Sequence, residues 1–535
     1  MVSINRFFFS FFDQFSKFYK SSQFYDKKIS KIFNSEIVYE PSPHLLSSLI
    51  KYQKKKIKIE DFSIDEIWSQ NNLSKKEFKN LHNFYWFFGL DLKSSKHITQ
   101  SIISSWISRN KKYNHRSWDF DVTAKRIISW LSCHNLTYKE SNDEYKENFN
   151  HLIQKQTNHL INEIKRSEHI EDKLIGCASI ILVGLCYQNE SRYLSFGSNL
   201  LKKIIKFTLD NNSFPKSRDI KQLTFYLKYL ILIKEWFKES QNKVPDHIEE
   251  TIYYLGQGYA FLCQNLEANL LFNGNNNSNN SDFDNYLKRL GYTFKNENQD
   301  FGGYTILKNK KIILTMDTGP SPNLKFSENY QAGALSFEII SNGKKLISNC
   351  GYFKNKKSYL NKLSKSSAAQ STLTIDDNSS CKFSKKGKLW LVQKGLKILK
   401  KNIIFDKTYW KINASHDGYL KKYNSIHERE IEFFPDQMVF VGLDKITKKT
   451  KNNYKFDIRF HVEPNVKLMK TQDNKTILIE LSDEGWRFTC ENYDINIDNG
   501  LYFGNKNLYS ENQNIFISGI SNSQIENIKW EIKKI

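Results

Sequence analysis

A few residues have types and spacing that could do chemistry. His115, Arg116 and Trp118 fall within four positions of a loop. A guanidinium forks onto a carboxylate or sulfate, and an aromatic face covers a sugar ring. The same spelling also fits a helix-packing Trp beside a solvated Arg. Lys216 and Arg218 precede a helix start, where they either hold an anion or flank a turn. Tyr330 offers a phenol that could take a proton, although a single strand Tyr also reads as packing. His416-Asp417 could form an oriented proton carrier, but His-Asp-Gly-Tyr reads as a turn and strand start, and His461 between Phe460 and Val462 reads as a satisfied core histidine. Serine-hydrolase elbows, dinucleotide fingerprints, phosphate-binding glycine loops and helix-turn-helix or RNA-binding signatures are absent.

The elements that must position these groups change character once along the chain. From Ile64 to about Leu271 apolar residues recur at helical spacing, as in Phe78, Leu81, Phe84, Tyr85 and Phe88 before Gly89, then Ile102, Ile103, Trp106 and Ile107. Successive amphipathic helices must bury their faces pairwise, as a bundle, solenoid or closed toroid. No fixed-period motif recurs, which disfavours a regular solenoid. Asn273 to Asn285 is polar and low in complexity, and is expected to stay out of any core and mark a boundary or exposed loop. After Gly302, short alternating runs such as Leu335 to Ile340, His427 to Phe433 and Phe456 to Val462 are separated by turn residues. They predict a large antiparallel sandwich.

At 535 residues, two domains are the default expectation. Lys+Arg 80 against Asp+Glu 57 gives a net charge of +23, a surplus that suits nucleic acid, an anionic lipid surface or an acidic polysaccharide. The lysines are scattered over both halves, so charge alone does not choose among these partners. Seven widely spaced cysteines without a CxxC pair predict free, buried thiols rather than a disulfide framework or zinc cluster. The N-terminal run Phe7-Phe8-Phe9-Ser10-Phe11-Phe12 reads as an amphipathic first helix rather than a signal peptide, and no later stretch is long enough to span a bilayer.

The order of these motifs resembles the heparinase II/III-like polysaccharide lyases. In the helical half the resemblance rests on Leu81-His82 with Tyr85-Trp86, Trp118, Arg126 to Trp130, and Lys216-Ser217-Arg218 with Gln222-Leu223. In the second half it rests on Gly333 to Glu338, Asn349-Cys350-Gly351, Ser371-Thr372-Leu373, Arg459-Phe460-His461 and Gly485 to Phe488. The resemblance implies an α+β multidomain fold, an N-terminal incomplete (α/α) toroid followed by a C-terminal antiparallel β-sandwich. The expected boundaries are a helical extension over 1–60, the toroid over 61–290 and the sandwich over 291–535.

It also implies β-elimination at a uronate, in which one group neutralises the carboxylate, a base removes the adjacent proton and an acid protonates the leaving oxygen. The family's toroid Asn-His pair falls on Glu168-His169; Asn158-His159, ten residues earlier, reads as a plain surface pair. The usual catalytic tyrosine position is Ile220, with Tyr226 and Tyr229 nearby as packing residues. The positions that would supply a zinc site are Gln331, Gly333, Asn349 and Gln370. Neutral amides suit a sugar's hydroxyls better than a metal, so no metal or other cofactor is expected.

On this resemblance His169 and Tyr330 are the acid/base candidates, with Arg116, Trp118, Arg218, Gln331 and Gln370 contacting substrate. The implied partner is an acidic polysaccharide, not nucleic acid, and the implied place of work is the bacterial cell envelope or periplasm, although no clear signal peptide is present and a cytoplasmic location is the alternative. Either the protein is a polysaccharide lyase, or it is a glycan-binding or envelope-assembly protein on a degenerate lyase scaffold. Glycan, cleavage mode and oligomeric state are not encoded in these motifs.

Overall fold

The computed structural model describes residues 14–31, 36–47, 64–69, 72–89, 96–187, 191–264, 266, 268–277, 280–505 and 508–535. The run Phe7 to Phe12, expected to be helical, lies outside them. The chain divides into two compact units, Met1–Phe207 with Phe225–Ile252, and Thr208–Thr224 with Tyr253–Ile535. A helical N-terminal part is thus followed by antiparallel sheets, as the motifs predict.

The helical unit is built around Lys75–His82, Lys96–Asn110, Phe120–Ser132, Asp143–Glu163, Ile170–Cys186 and Ser191–Thr208. Lys75–His82 starts at a capping box in which the Ser74 hydroxyl accepts from Glu77 N–H while the Glu77 carboxylate accepts from Ser74 N–H. Phe120–Ser132 is buried along most of its length because it packs against both Asp143–Glu163 and Ile170–Cys186. At its centre Arg126 is fully buried with no carboxylate partner among the described residues. Its guanidinium donates to His82 O and Ser117 O, each at 2.9 Å, and lies 4.1 Å from the Trp106 ring. Burial presses its pKa downward. The motif Arg126 to Trp130 is therefore a packing device that ties three segments together.

Among the described residues the second unit contains four antiparallel sheets. In order across the sheet, a five-stranded one runs Asp300–Phe301, Tyr304–Lys308, Ile312–Asp317, Phe337–Ser341, Lys344–Ile347. An eight-stranded one places Ile525–Lys534 between Glu484–Cys490 and Val439–Lys448, followed by Ser425–Phe434, Trp410–His416 and Ile398–Phe405. A four-stranded one centres on Ser510–Ser521 and Tyr454–His461, and Lys382–Lys386 pairs with Leu389–Lys394 as a separate hairpin. Ser425–Phe434 alternates buried and half-exposed residues without interruption, as a strand with one face in the core must. Phe337, Phe433, Phe440, Phe460, Trp486 and Trp530 fill that core.

Inside it, Asp444 accepts from Arg429 Nε at 2.8 Å, His427 Nε2 at 2.7 Å and Trp530 Nε1 at 2.9 Å. Arg429 also donates to Leu335 O and Ser371 O. His416 accepts the Gly418 N–H on Nδ1, so the His416 to Tyr419 run is structural, as its turn-like sequence indicates.

The asparagine run departs from expectation. Asn273, Gly274, Asn275 and Asn276 are buried, and Ser281–Arg289 is a helix. Asn273 donates to Tyr304 Oη at 2.7 Å and to Asp317 Oδ2 at 3.1 Å, and Asn275 donates to Leu270 O at 2.6 Å. A polar run can enter a core when every amide finds a partner. Composition registers the polarity and is blind to the partners.

Candidate functional site

Within the helical unit, a pocket of ≈ 540 Å³ opens beside the 113–119 loop. Lys17, Lys20, Lys75, Lys79 and Arg116 line it against two carboxylates, Asp119 and Glu163. Lys79 bridges Asp119 at 2.8 Å and Asp121 at 2.6 Å. Burial opposes its charge, but those two bonds outweigh it and raise its pKa. Lys20 pairs with Glu163. Arg116 and Lys75 are exposed and make no ion pair among the described residues. The Arg116 guanidinium instead lies 4.2 Å from the Phe78 ring, which holds it in place while leaving its donors open to an incoming anion.

Trp118, expected as a sugar platform, is 1% exposed. Its Nε1 donates to Asn110 O at 2.8 Å and its ring packs edge-on to His159. It forms the floor of the pocket rather than a free stacking face. His159 is likewise buried, bonded through Nδ1 to Tyr25 Oη at 2.7 Å and through Nε2 to Trp118 O at 3.2 Å. Burial and nearby Lys20 pull its pKa down to about 3, so the imidazole is neutral. Asn158 donates to Ile29 O at 2.8 Å. The Asn158-His159 pair is therefore an interior clamp, not a surface pair, because Gln23–Ile29 covers it.

His169 is the N-cap residue of Ile170–Cys186 and is exposed, with no side-chain capping bond. One residue the sequence reading passed over stands beside it: Asp172, in the first turn of that helix. Burial and the neighbouring Asp121 charge raise the Asp172 pKa, while Lys125, His169 and Lys79 draw it down. His169 and Asp172 are three residues apart at a helix start, and i,i+3 spacing places them on one face; that spacing was the signal available. Tyr226 is buried and Tyr229 packs against Phe225 at 4.8 Å, in line with packing roles.

In the second unit the remaining candidates are interior groups. Tyr330 is 1% exposed, packed with Ala332, Ala334, Cys381, Val392 and Leu396, and burial pushes its hydroxyl well above the ordinary phenol pKa. Arg218 is buried against Asp317 at 2.7 Å and also donates to Gly302 O, Gly303 O and Pro320 O. Four of its five N–H donors are thus committed inside the protein, and its charge is matched by Asp317. Gln331 donates to Gly351 O at 2.9 Å and Ser364 O at 2.6 Å and accepts Gly274 N–H at 3.1 Å. Gln370 donates to the same Ser364 carbonyl at 3.3 Å. Asn349 accepts Ser371 N–H at 2.8 Å. His461 bonds Ala368 O at 2.9 Å, and burial brings its pKa down to about 4.

These amides do not fit a zinc ion. Zinc sites are built from thiolate, imidazole or carboxylate, whereas the donor set here is amide, and among the described residues no group of three His, Cys, Asp or Glu could hold a metal. The seven cysteines are all buried and none is in a disulfide. Among the described residues no helix is long and apolar enough to cross a membrane.

Residues 297–531 match the family model described as heparinase II/III-like, C-terminal. No curated protein matches the sequence. Among solved structures, a heparan sulfate lyase HepC mutant from Pedobacter heparinus is similar with a TM-score of 0.69 at 11% identity, over 91% of this chain and 82% of that one. A structure described as heparinase III is similar with a TM-score of 0.66 at 14% identity, over 96% and 85%. The BT4657 gene product, also described as heparinase III, gives 0.67 at 14% identity, over 88% and 80%. At such identities the likeness is one of fold, and that fold is polysaccharide-lyase-like.

Proposed function

We propose, for a chain whose residues 297–531 belong to the heparinase II/III-like family, that the protein recognises an acidic, uronate-containing polysaccharide without the usual catalytic apparatus of a lyase. The observation that carries this reading is the basic pocket of the helical unit, where Arg116, preset on Phe78, and Lys75 are exposed and make no ion pair among the described residues. An acid group on a glycan supplies the missing charge. The catalytic side is correspondingly depleted. Tyr330 is buried and protonated, Arg218 is committed to Asp317, and the amides of Gln331 and Gln370 are bonded to backbone carbonyls.

A second reading retains β-elimination and is favoured by one observation. His169 is exposed at a helix start, and Asp172 nearby has a raised pKa. In that reading Arg116 neutralises the uronate, His169 moves the proton, and Asp172 orients the imidazole. Both readings suit work in the bacterial cell envelope, which subcellular fractionation would check.

The deciding experiment incubates purified protein with a panel of uronate polysaccharides and follows binding by calorimetry and product by the absorbance of the unsaturated uronate. Binding without product is the expected result. Product that disappears in His169→Ala establishes the second reading in its place. Failure to bind any member of the panel removes both.

A further inference from the structure

The N-terminal helices carry a feature that glycan recognition leaves unused. In the helix over 14–20, Phe15, Phe18 and Tyr19 are 61%, 77% and 40% exposed. Their i, i+3, i+4 spacing puts them on one face. In the following helix, Gln23–Ile29, Phe24 is 82% exposed. Among the described residues the exposed phenylalanines are Phe15, Phe18, Phe24, Phe207 and Phe405, so three of five fall within ten positions. Single exposed apolar residues are ordinary, but a cluster marks an interaction surface.

The segment that displays them is firmly held. Tyr25 and Ile29 are buried, Tyr25 Oη bonds His159, and Asn158 donates to Ile29 O. Tyr19 packs edge-on to Tyr25 at 5.5 Å, whereas Phe15, Phe18 and Phe24 are exposed and make no ring contact among the described residues, so their rings are not required for packing. Lys27, Lys28 and Lys31 are exposed around them. The one acidic residue among them, Asp26, is paired with Lys155 at 2.8 Å.

We infer that this surface docks on an anionic phospholipid bilayer, lying in its interface. Aromatic rings flanked by lysines are the chemistry of an interfacial helix, the rings entering the acyl boundary and the ammonium groups meeting lipid phosphates. A protein partner would need a matching acidic and apolar face, whereas a bilayer supplies both along its whole surface. The net charge of +23 acts in the same direction. The mode is lying on rather than crossing, since among the described residues no helix can span.

The test is co-sedimentation of the full chain with phosphatidylcholine vesicles containing or lacking phosphatidylglycerol. Wild type is expected to bind the anionic vesicles. Phe15→Ser, Phe18→Ser and Phe24→Ser together should weaken that binding by roughly 100-fold, and Lys27→Glu with Lys28→Glu by about tenfold. The melting temperature and glycan affinity should stay unchanged in both, because all five side chains are exposed. Absence of binding to anionic vesicles, or a triple variant that sediments like wild type, overturns the inference. So does a wild-type dimer in sedimentation velocity that the triple variant abolishes while vesicle binding is absent, since the occupant is then a second copy. Loss of glycan binding alone would count against the pocket and leave the lipid surface standing.

Discussion

Replacing Arg218 with Met separates a ligand-holding arginine from an architectural one. The side chain is buried, with its guanidinium 2.7 Å from Asp317 Oδ1 and three further protons donated to backbone carbonyls. Removing it leaves Asp317 in the interior with Asn273 Nδ2 at 3.1 Å and Gly319 N–H at 3.2 Å as its remaining donors. Breaking a buried pair from one side costs about 3–5 kcal/mol, because the surviving charge has lost its counterion. For a unit of this size the melting temperature should fall by on the order of 10 °C. The double variant Arg218→Met, Asp317→Asn should recover part of that loss, since removing both charges leaves none stranded. Scanning calorimetry reads the melting, and a glycan titration reads affinity. A single variant that melts like wild type but has lost glycan affinity would refute the assignment and return Arg218 to the substrate.

Three further outcomes are expected. Burial holds His82 and His159 neutral down to about 3 and His461 down to about 4, against roughly 6.5 in the unfolded chain. Between 6.5 and those values the unfolded chain binds protons the folded one refuses, so stability is intact above pH 6.5 and falls with pH below it; denaturant midpoints measured from pH 7.5 to 5 should show this, with a slope shallower by up to one proton in His159→Gln. Arg116→Ala should weaken acidic-glycan binding by about tenfold, with a stability change within about 1 kcal/mol, because the side chain is exposed and loses only its contact with Phe78. Gln331→Leu should cost roughly 3 kcal/mol, read from urea denaturation, since it strands Gly351 O and Gly274 N–H and leaves Ser364 O only its 3.3 Å bond from Gln370.

What the sequence disclosed and withheld follows from how far each signal reaches along the chain. Strand alternation is a two-residue signal, so Ser425–Phe434 and Thr476–Leu481 could be read directly. The start of Phe337–Ser341 could not be placed from pattern, because Leu335 adopts φ +57 and gives its carbonyl to Arg429, 94 residues away. Arg218 has the composition of a binding residue and the environment of a core residue. The difference lies in Asp317, 99 positions along, which no local window contains. The asparagine run fails for the same reason, with partners such as Tyr304 and Asp317 far along the chain.

The amide substitutions follow a related logic. Gln331 and Gln370 meet on one carbonyl, Ser364 O, while Asn349 secures Ser371. These residues now hold the 349–371 segment together through neutral bonds inside the core. Replacing one of them with an imidazole would remove backbone partners without supplying the other ligands a metal needs. Such a single replacement would therefore lower stability without creating a metal site.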